Sequence, residues 1–172
     1  MAKYSGSWQT ITATAINDTA ALTDSNYPYA LQGGTATQRN NIKEIFVGGE
    51  GTTSTPVALV FARDSTASAT LVGTGTTGAG ARVPALLDGS GTAPATAPKG
   101  GNSAATDPQR DTAGHLLHFS FNAFGGIVRW VAADGYEISM VGNAASLGDC
   151  SLSGVATTGA AATSGHILFE TV

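Results

Sequence analysis

The chain has 172 residues, enough for one domain that buries roughly 70% of its unfolded surface, and 12% of them are charged, about half the usual share. Its net charge is -4, and the eight basic residues (Lys3, Lys43, Lys99, Arg39, Arg63, Arg82, Arg110 and Arg129) are scattered without forming a stripe, which excludes the electrostatic footprint of a nucleic-acid binder. No apolar run approaches membrane-spanning length, and the single cysteine, Cys150, excludes an intrachain disulfide.

With so few charges, the polar exterior falls to Ser, Thr, Asn and Gln, and much of the rest is Ala and Gly. Short side chains lose little entropy when fixed, so such a surface packs against a neighbour at small ordering cost. A weakly charged exterior is unusual for a protein that stays alone in solution. The opening Met-Ala-Lys-Tyr-Ser-Gly-Ser-Trp (residues 1–8) has no apolar h-region, which points to synthesis in a cytoplasm. The glycosylation pattern Asn17-Asp18-Thr19 is idle in that setting.

In chain order, Trp8 to Ala15 is Thr-rich and alternating and reads as a first strand. Asn17-Asp18 and Asp24-Ser25-Asn26 are turn signals. Tyr27-Pro28-Tyr29-Ala30-Leu31 is either a short edge strand, as its proline implies, or an extended connection. In Ile42 to Val47 the period is two: Ile42, Glu44 and Phe46 share one face, and Lys43, Ile45 and Val47 the other. Gly48, Gly49 and Gly51 break that run, and Val57 to Ala62 follows, apolar throughout and so inside a covered sheet. Asp64-Ser65-Thr66 reads as a turn before a short strand over Ser68 to Val72.

From Gly73 to Gly114 the composition shifts to Gly, Ala, Ser and Thr with Pro84, Pro94, Pro98 and Pro108. Val83-Pro84-Ala85-Leu86-Leu87 offers a helical turn at most, and the segment reads as an arm or long surface loop. Strand signals return in His115 to Phe124, pause at Gly125-Gly126, and resume in Ile127 to Ala133. Asp134-Gly135 is a tight-turn signal leading into Tyr136 to Val141. Cys150 to Val155 and His166 to Val172 close the chain as strands. The whole is therefore one all-β domain over residues 1–172, an antiparallel β-sandwich of jelly-roll-like form with a long Gly/Pro/Ala-rich loop over 73–114.

The reactive constellations are thin. Gly73-Thr74-Gly75-Thr76-Thr77-Gly78 matches the dinucleotide fingerprint in letters, but Ala79 to Pro84 cannot supply the helix N-terminus that holds a pyrophosphate, so it reads as a turn. Gly148-Asp149-Cys150-Ser151 faintly resembles the nucleophile segment of chymotrypsin-like viral proteases, with His115 or His118 and Asp134 upstream in the right order. The glycine expected after the nucleophile is Ser151, and His118 and Asp134 lie too close in sequence for that fold. His115 and His118, three apart on a regular strand, face opposite sides and cannot share a metal, and His166 stands alone. No two acids sit where sequence alone brings them together as a glycosidase pair. Trp8, Trp130, Tyr27 and Tyr29 are the aromatics able to stack a sugar, although strand aromatics usually serve the core. The chain therefore reads as no enzyme, with no catalytic, cofactor-binding or metal-binding residues and no cofactor.

Lys43-Glu44-Ile45-Phe46-Val47-Gly48-Gly49, Ala58 to Thr66, Ser120 to Trp130, and the ending Ser151-Leu152-Ser153-Gly154 through Ile167-Leu168-Phe169-Glu170 resemble small virion proteins of tailed bacteriophages, most of all the capsid decoration, or cement, class. The likeness covers most of the chain outside 73–114 and lies in texture rather than in a diagnostic motif. It implies a β-rich protein, often trimeric, that binds the outside of a capsid through the major capsid protein and through copies of itself, without nucleic acid or membrane. It places the protein on the virion surface after synthesis in the host cytoplasm; on that reading Lys3 to Trp8 and Gly73 to Gly114 are the candidate lattice-binding parts of this chain. The alternative is a receptor- or carbohydrate-binding module of a phage head or tail fibre.

Overall fold

The structure, a computed structural model, describes residues 29–32, 37–66, 87, 99–101, 109–141, 149–154 and 163–172. Among these there are nine strands and no helix: β1 (Tyr29–Gln32), β2 (Arg39–Glu50), β3 (Pro56–Thr66), β4 (Lys99–Gly101), β5 (Gln109–Asn122), β6 (Phe124–Val131), β7 (Ile138–Val141), β8 (Asp149–Gly154) and β9 (Thr163–Thr171). All pairings are antiparallel. One sheet runs β4-β1-β8-β3-β5. The other is centred on β2, which pairs β9 over most of its length, and β6 and β7 over separate halves. Because the β6 and β7 registers do not overlap, these two strands follow one another along the same edge of β2.

β3 behaves as its unbroken apolar run dictates. Val57, Leu59 and Phe61 enter the main core, while Ala58, Val60 and Ala62 form a second buried cluster on the opposite face. The main core joins both sheets, drawing Leu31 from β1, Ile42, Ile45 and Val47 from β2, Phe119 from β5, and Ile138 and Met140 from β7.

β2 departs from strict alternation. Ile42 opposes Phe169 of β9, but the next partner, Leu168, opposes Glu44, which leaves Lys43 as an extra residue. That bulge flips the phase of the strand. Ile42, Ile45 and Val47 all turn inward, although simple alternation puts Ile42 on the opposite face from the other two. Opposite Lys43, between β6 and β7, the chain makes a short excursion over 132–137. The Lys43 carbonyl accepts a hydrogen bond from the Ala132 N–H at 2.8 Å, and its ammonium reaches Glu137 at 2.9 Å. Within the excursion Tyr136 N–H bonds the Ala133 carbonyl at 2.8 Å and Gly135 has φ 73°, so the Asp134-Gly135 turn forms where its sequence places it.

Both glycine doublets were expected to end strands, and both lie inside them. The reason is the corner where β2 passes into β3 beside the corner where β5 passes into β6. Gly51 N–H bonds the Ala123 carbonyl and Ala123 N–H bonds the Thr55 carbonyl, each at 2.8 Å. Asn122 Nδ2 donates to Ser54 Oγ at 2.8 Å, and its Oδ1 accepts from Phe124 N–H at 2.8 Å. A Cβ on Gly49 would run into the backbone of Ala123, and one on Gly126 into that of Asn122. Gly49 and Gly126 are there to let two stretches of backbone touch.

Other expectations shift as well. β1 is no edge strand, since β4 and β8 flank it. β3 continues to Thr66 through the expected turn at Asp64-Ser65-Thr66, with Asp64 buried and opposite Arg110. The segment 73–114 is not wholly a loop: it holds β4 and the first turns of pairing in β5, which starts at Gln109 rather than His115. Leu87, the described member of the Val83–Leu87 patch, is exposed and not helical. The strands expected at Trp8 to Ala15 and Ser68 to Val72, the candidate contact segment Lys3 to Trp8, and most of 73–114 lie outside the described residues.

Candidate functional site

With the phase of β2 set by the Lys43 bulge, the outer face of its sheet follows from the registers. Phe46 lies between Arg129 of β6 and His166 of β9, and Glu44 between Val131 and Leu168. Gly48 lies between Ile127 and Ser164. Val128 and Trp130 of β6 turn the other way and pack on the core. The outward row of β6 is therefore Ile127, Arg129 and Val131, with Ile127 66% and Val131 54% exposed. Phe124 at the corner and Tyr136 in the excursion extend the apolar exposure at either end.

A polar cluster sits in the middle of this face. Glu44 accepts from Arg129 Nη2 at 2.7 Å and from His166 Nε2 at 2.9 Å. An ionised carboxylate can only accept, so the His166 Nε2 carries a proton. The His166 ring also stacks on Phe46, with centroids 5.3 Å apart and planes 7° from parallel. The hydrogen bond from Arg129, then that from His166, draws the Glu44 carboxyl from 4.5 down to about 2. Lys43 forms a second centre, holding Glu137 at 2.9 Å and Glu170 at 3.5 Å. Its hydrogen bond is the main cause that brings Glu137 to about 2, with backbone hydrogen bonds assisting. Both acids are held as anions, which suits cross-strand ties and not proton donation.

The residues weighed from sequence fall in different places. Gly73 to Gly78, Trp8 and Tyr27 are outside the described residues. Tyr29 and Trp130 pack against the core, and burial pushes the Tyr29 hydroxyl up to about 12, so neither ring offers an open sugar platform. Cys150 lies in β8, opposite Leu31 on one side and Arg63 on the other, whereas Asp134 stands in the exposed turn between β6 and β7 of the other sheet. His166, expected alone, is tied to Glu44 and Phe46. His115 and His118, expected on opposite faces, share one: His118 Nε2 lies 3.3 Å from His115 Nδ1. A bulge in β5 causes this, since Phe61 opposes Leu117 while the next residue, Ala62, opposes His115, leaving Leu116 extra. Among the described residues no group of three metal-binding side chains occurs.

Sequence reasoning missed the Glu44–Arg129–His166 cluster. Its residues are 85 and 122 positions apart, and a single sequence carries no register. The visible signal was a pair of charged residues, Lys43 and Glu44, inside the run Ile42 to Val47. Comparison with protein-family models, with curated proteins and with solved structures gives no match.

Proposed function

We propose that this protein is a structural component of a bacteriophage particle that binds the outside of the capsid, to the major capsid protein and to copies of itself. The observation that carries the reading is the outer face of β6, where Ile127 and Val131 stand exposed on a strand that pairs only with β2 among the described residues. A strand of this kind left in water is an aggregation liability, and natural proteins cover it. The sparse charge of the whole chain supports the same conclusion, because such a surface meets a neighbouring subunit at little desolvation cost. Many weak copies bound to a repeating shell then hold firmly through high effective concentration.

A jelly-roll form of the sandwich belongs to this proposal. What favours it is the nesting of one set of ladders, β1 with β8, β2 with β6 and β7, and β3 with β5, while β1–β4 and β2–β9 pair outside that nest. The nest is the pattern left when one long hairpin is rolled over on itself.

The test combines sedimentation with binding to emptied phage heads. The wild type is expected to sediment as an oligomer, a trimer on this reading, and to coat heads. The double variant Ile127→Asp/Val131→Asp should stay folded, because both side chains are already in water, yet fail to coat them. A monomeric wild type that ignores heads, or a double variant that coats them unchanged, overturns the proposal.

A further inference from the structure

We propose that copies of this chain join edge to edge, with β9 of one copy lying alongside β6 of the next, so that the second sheet runs on from chain to chain. The inference rests on the self-association half of the capsid reading and names the two surfaces that meet.

Among the described residues β6 and β9 each pair with β2 alone, on its opposite edges. Natural edge strands are often guarded by Lys or Pro, and neither strand contains either residue. Their outward rows match in chemistry. On β6 the row is Ile127, Arg129 and Val131. On β9, Ile167 and Phe169 pack against the core, which turns Leu168 and Glu170 outward. Val172 continues the ladder through two hydrogen bonds with Arg39 and is 64% exposed. One row reads apolar, cation, apolar, and the other apolar, anion, apolar. Both charges are open to a neighbour. Arg129 gives Nη2 to Glu44 while its side chain stays 60% exposed, and Glu170 stands 3.5 Å from Lys43 with its side chain 61% exposed.

Alternation and charge then select the register. β6 and β9 both run antiparallel to β2 and so parallel to each other, and a sheet continued by repeating the chain keeps that sense. Odd shifts set outward residues beside inward ones. With Arg129 beside His166, the level they share across Phe46 within one chain, Ile127 meets Ser164 and no opposite charges pair. With Arg129 beside Leu168, every pair sets a polar group against an apolar one. With Arg129 beside Glu170, Ile127 meets Leu168 and Val131 meets Val172, so all three cross-strand pairs are favourable. That register is displaced four residues, about 13 Å, from the level within one chain. Because the two edges differ, the contact is heterologous, the kind that builds a ring when it closes.

The experiment combines sedimentation of the full chain with oxidative cross-linking of cysteine variants whose fold is checked by circular dichroism. The wild type should sediment as an oligomer, and Glu170→Arg should weaken association at least tenfold. The double variant Arg129→Cys/Glu170→Cys should form disulfide-linked multimers. Within one chain β2 separates these strands by about 9–10 Å, too far for an internal bridge. Arg129→Cys/Ser164→Cys, six residues off register, and the wild type, which keeps Cys150, should form none. An oligomer that ignores Glu170→Arg, or a 129/170 pair that links no better than 129/164, overturns this contact and leaves the capsid reading standing. A monomeric wild type overturns the contact together with self-association. A cross-linked oligomer that leaves emptied phage heads bare upholds the contact and overturns the capsid reading alone.

Discussion

The two central strands, β3 with an unbroken apolar run and β2 with Lys43 and Glu44 inside its own, end in opposite situations. β3 is covered on both sides: six successive residues, Val57 to Ala62, are buried, divided between two clusters. β2 is covered on one side, and its outer side carries Glu44 with its two cross-strand partners and Phe46 under the His166 ring. A strand buried on both faces, as β3 is, is held by packing on each, in addition to its ladders to β5 and β8. A strand with one wet face needs a register, and here a bulge at Lys43 and a chain of ion pairs fix it.

The sharpest way to break this contrast is to remove one ring from each strand. Phe61 is fully buried in the main core, and Phe61→Ala should destabilise the fold by about 3–5 kcal/mol. Phe46→Ala, which strips only the outer ring stacked on His166, should cost well under half as much. Chemical denaturation of both variants measures the difference. Equal losses would mean that the outer face of β2 is covered in solution as well as β3 is.

The corner joining these strands gives the next test. Gly49→Ala forces a methyl group into the Ala123 backbone, an overpacking that should cost about 1–3 kcal/mol or more. Gly125 is required for a different reason: its φ is 70° and nothing lies within 4 Å of its missing Cβ. Gly125→Ala should therefore cost only the left-handed penalty of about 1–2 kcal/mol. Asparagine, which tolerates that conformation, should recover part of the loss at position 125 and none at position 49. A rescue at 49 would show that the corner is looser than its hydrogen bonds indicate.

The same contrast explains what the sequence made legible. The all-β class, the strands in β2, β3, β5, β8 and β9, the double burial of β3 and the Asp134-Gly135 turn are written locally, in period, β-branching and turn chemistry. The errors cluster at bulges. Alternation counted from Ile42 puts Ile45 on the wrong face because nothing in the letters announces that Lys43 is extra, and the same blindness at Leu116 separated His115 from His118. Gly48-Gly49 and Gly125-Gly126 were misread because a glycine that ends a strand and a glycine that admits another backbone look alike. The outer-face cluster was invisible for the remaining reason: its members meet only through register.

The smallest effect tests the wet side of β2 alone. The folded Glu44 carboxyl sits near 2 against 4.5 as its ordinary value, so between those pH values the unfolded chain binds the extra proton and stability rises with pH. The contribution is complete above about pH 4.5, and it fades as acid approaches pH 2. Glu44→Gln removes the charge at every pH while keeping the shape. The stability gap between wild type and Glu44→Gln, read from urea midpoints, should therefore be widest at neutral pH and close steadily below about pH 4.5. It should also narrow in 1 M salt, because the Arg129 partner is largely exposed and exposed pairs are screened. A gap that stays constant down to pH 2 would assign the role of Glu44 to packing, and would leave the two central strands differing in burial but not in how their positions are held.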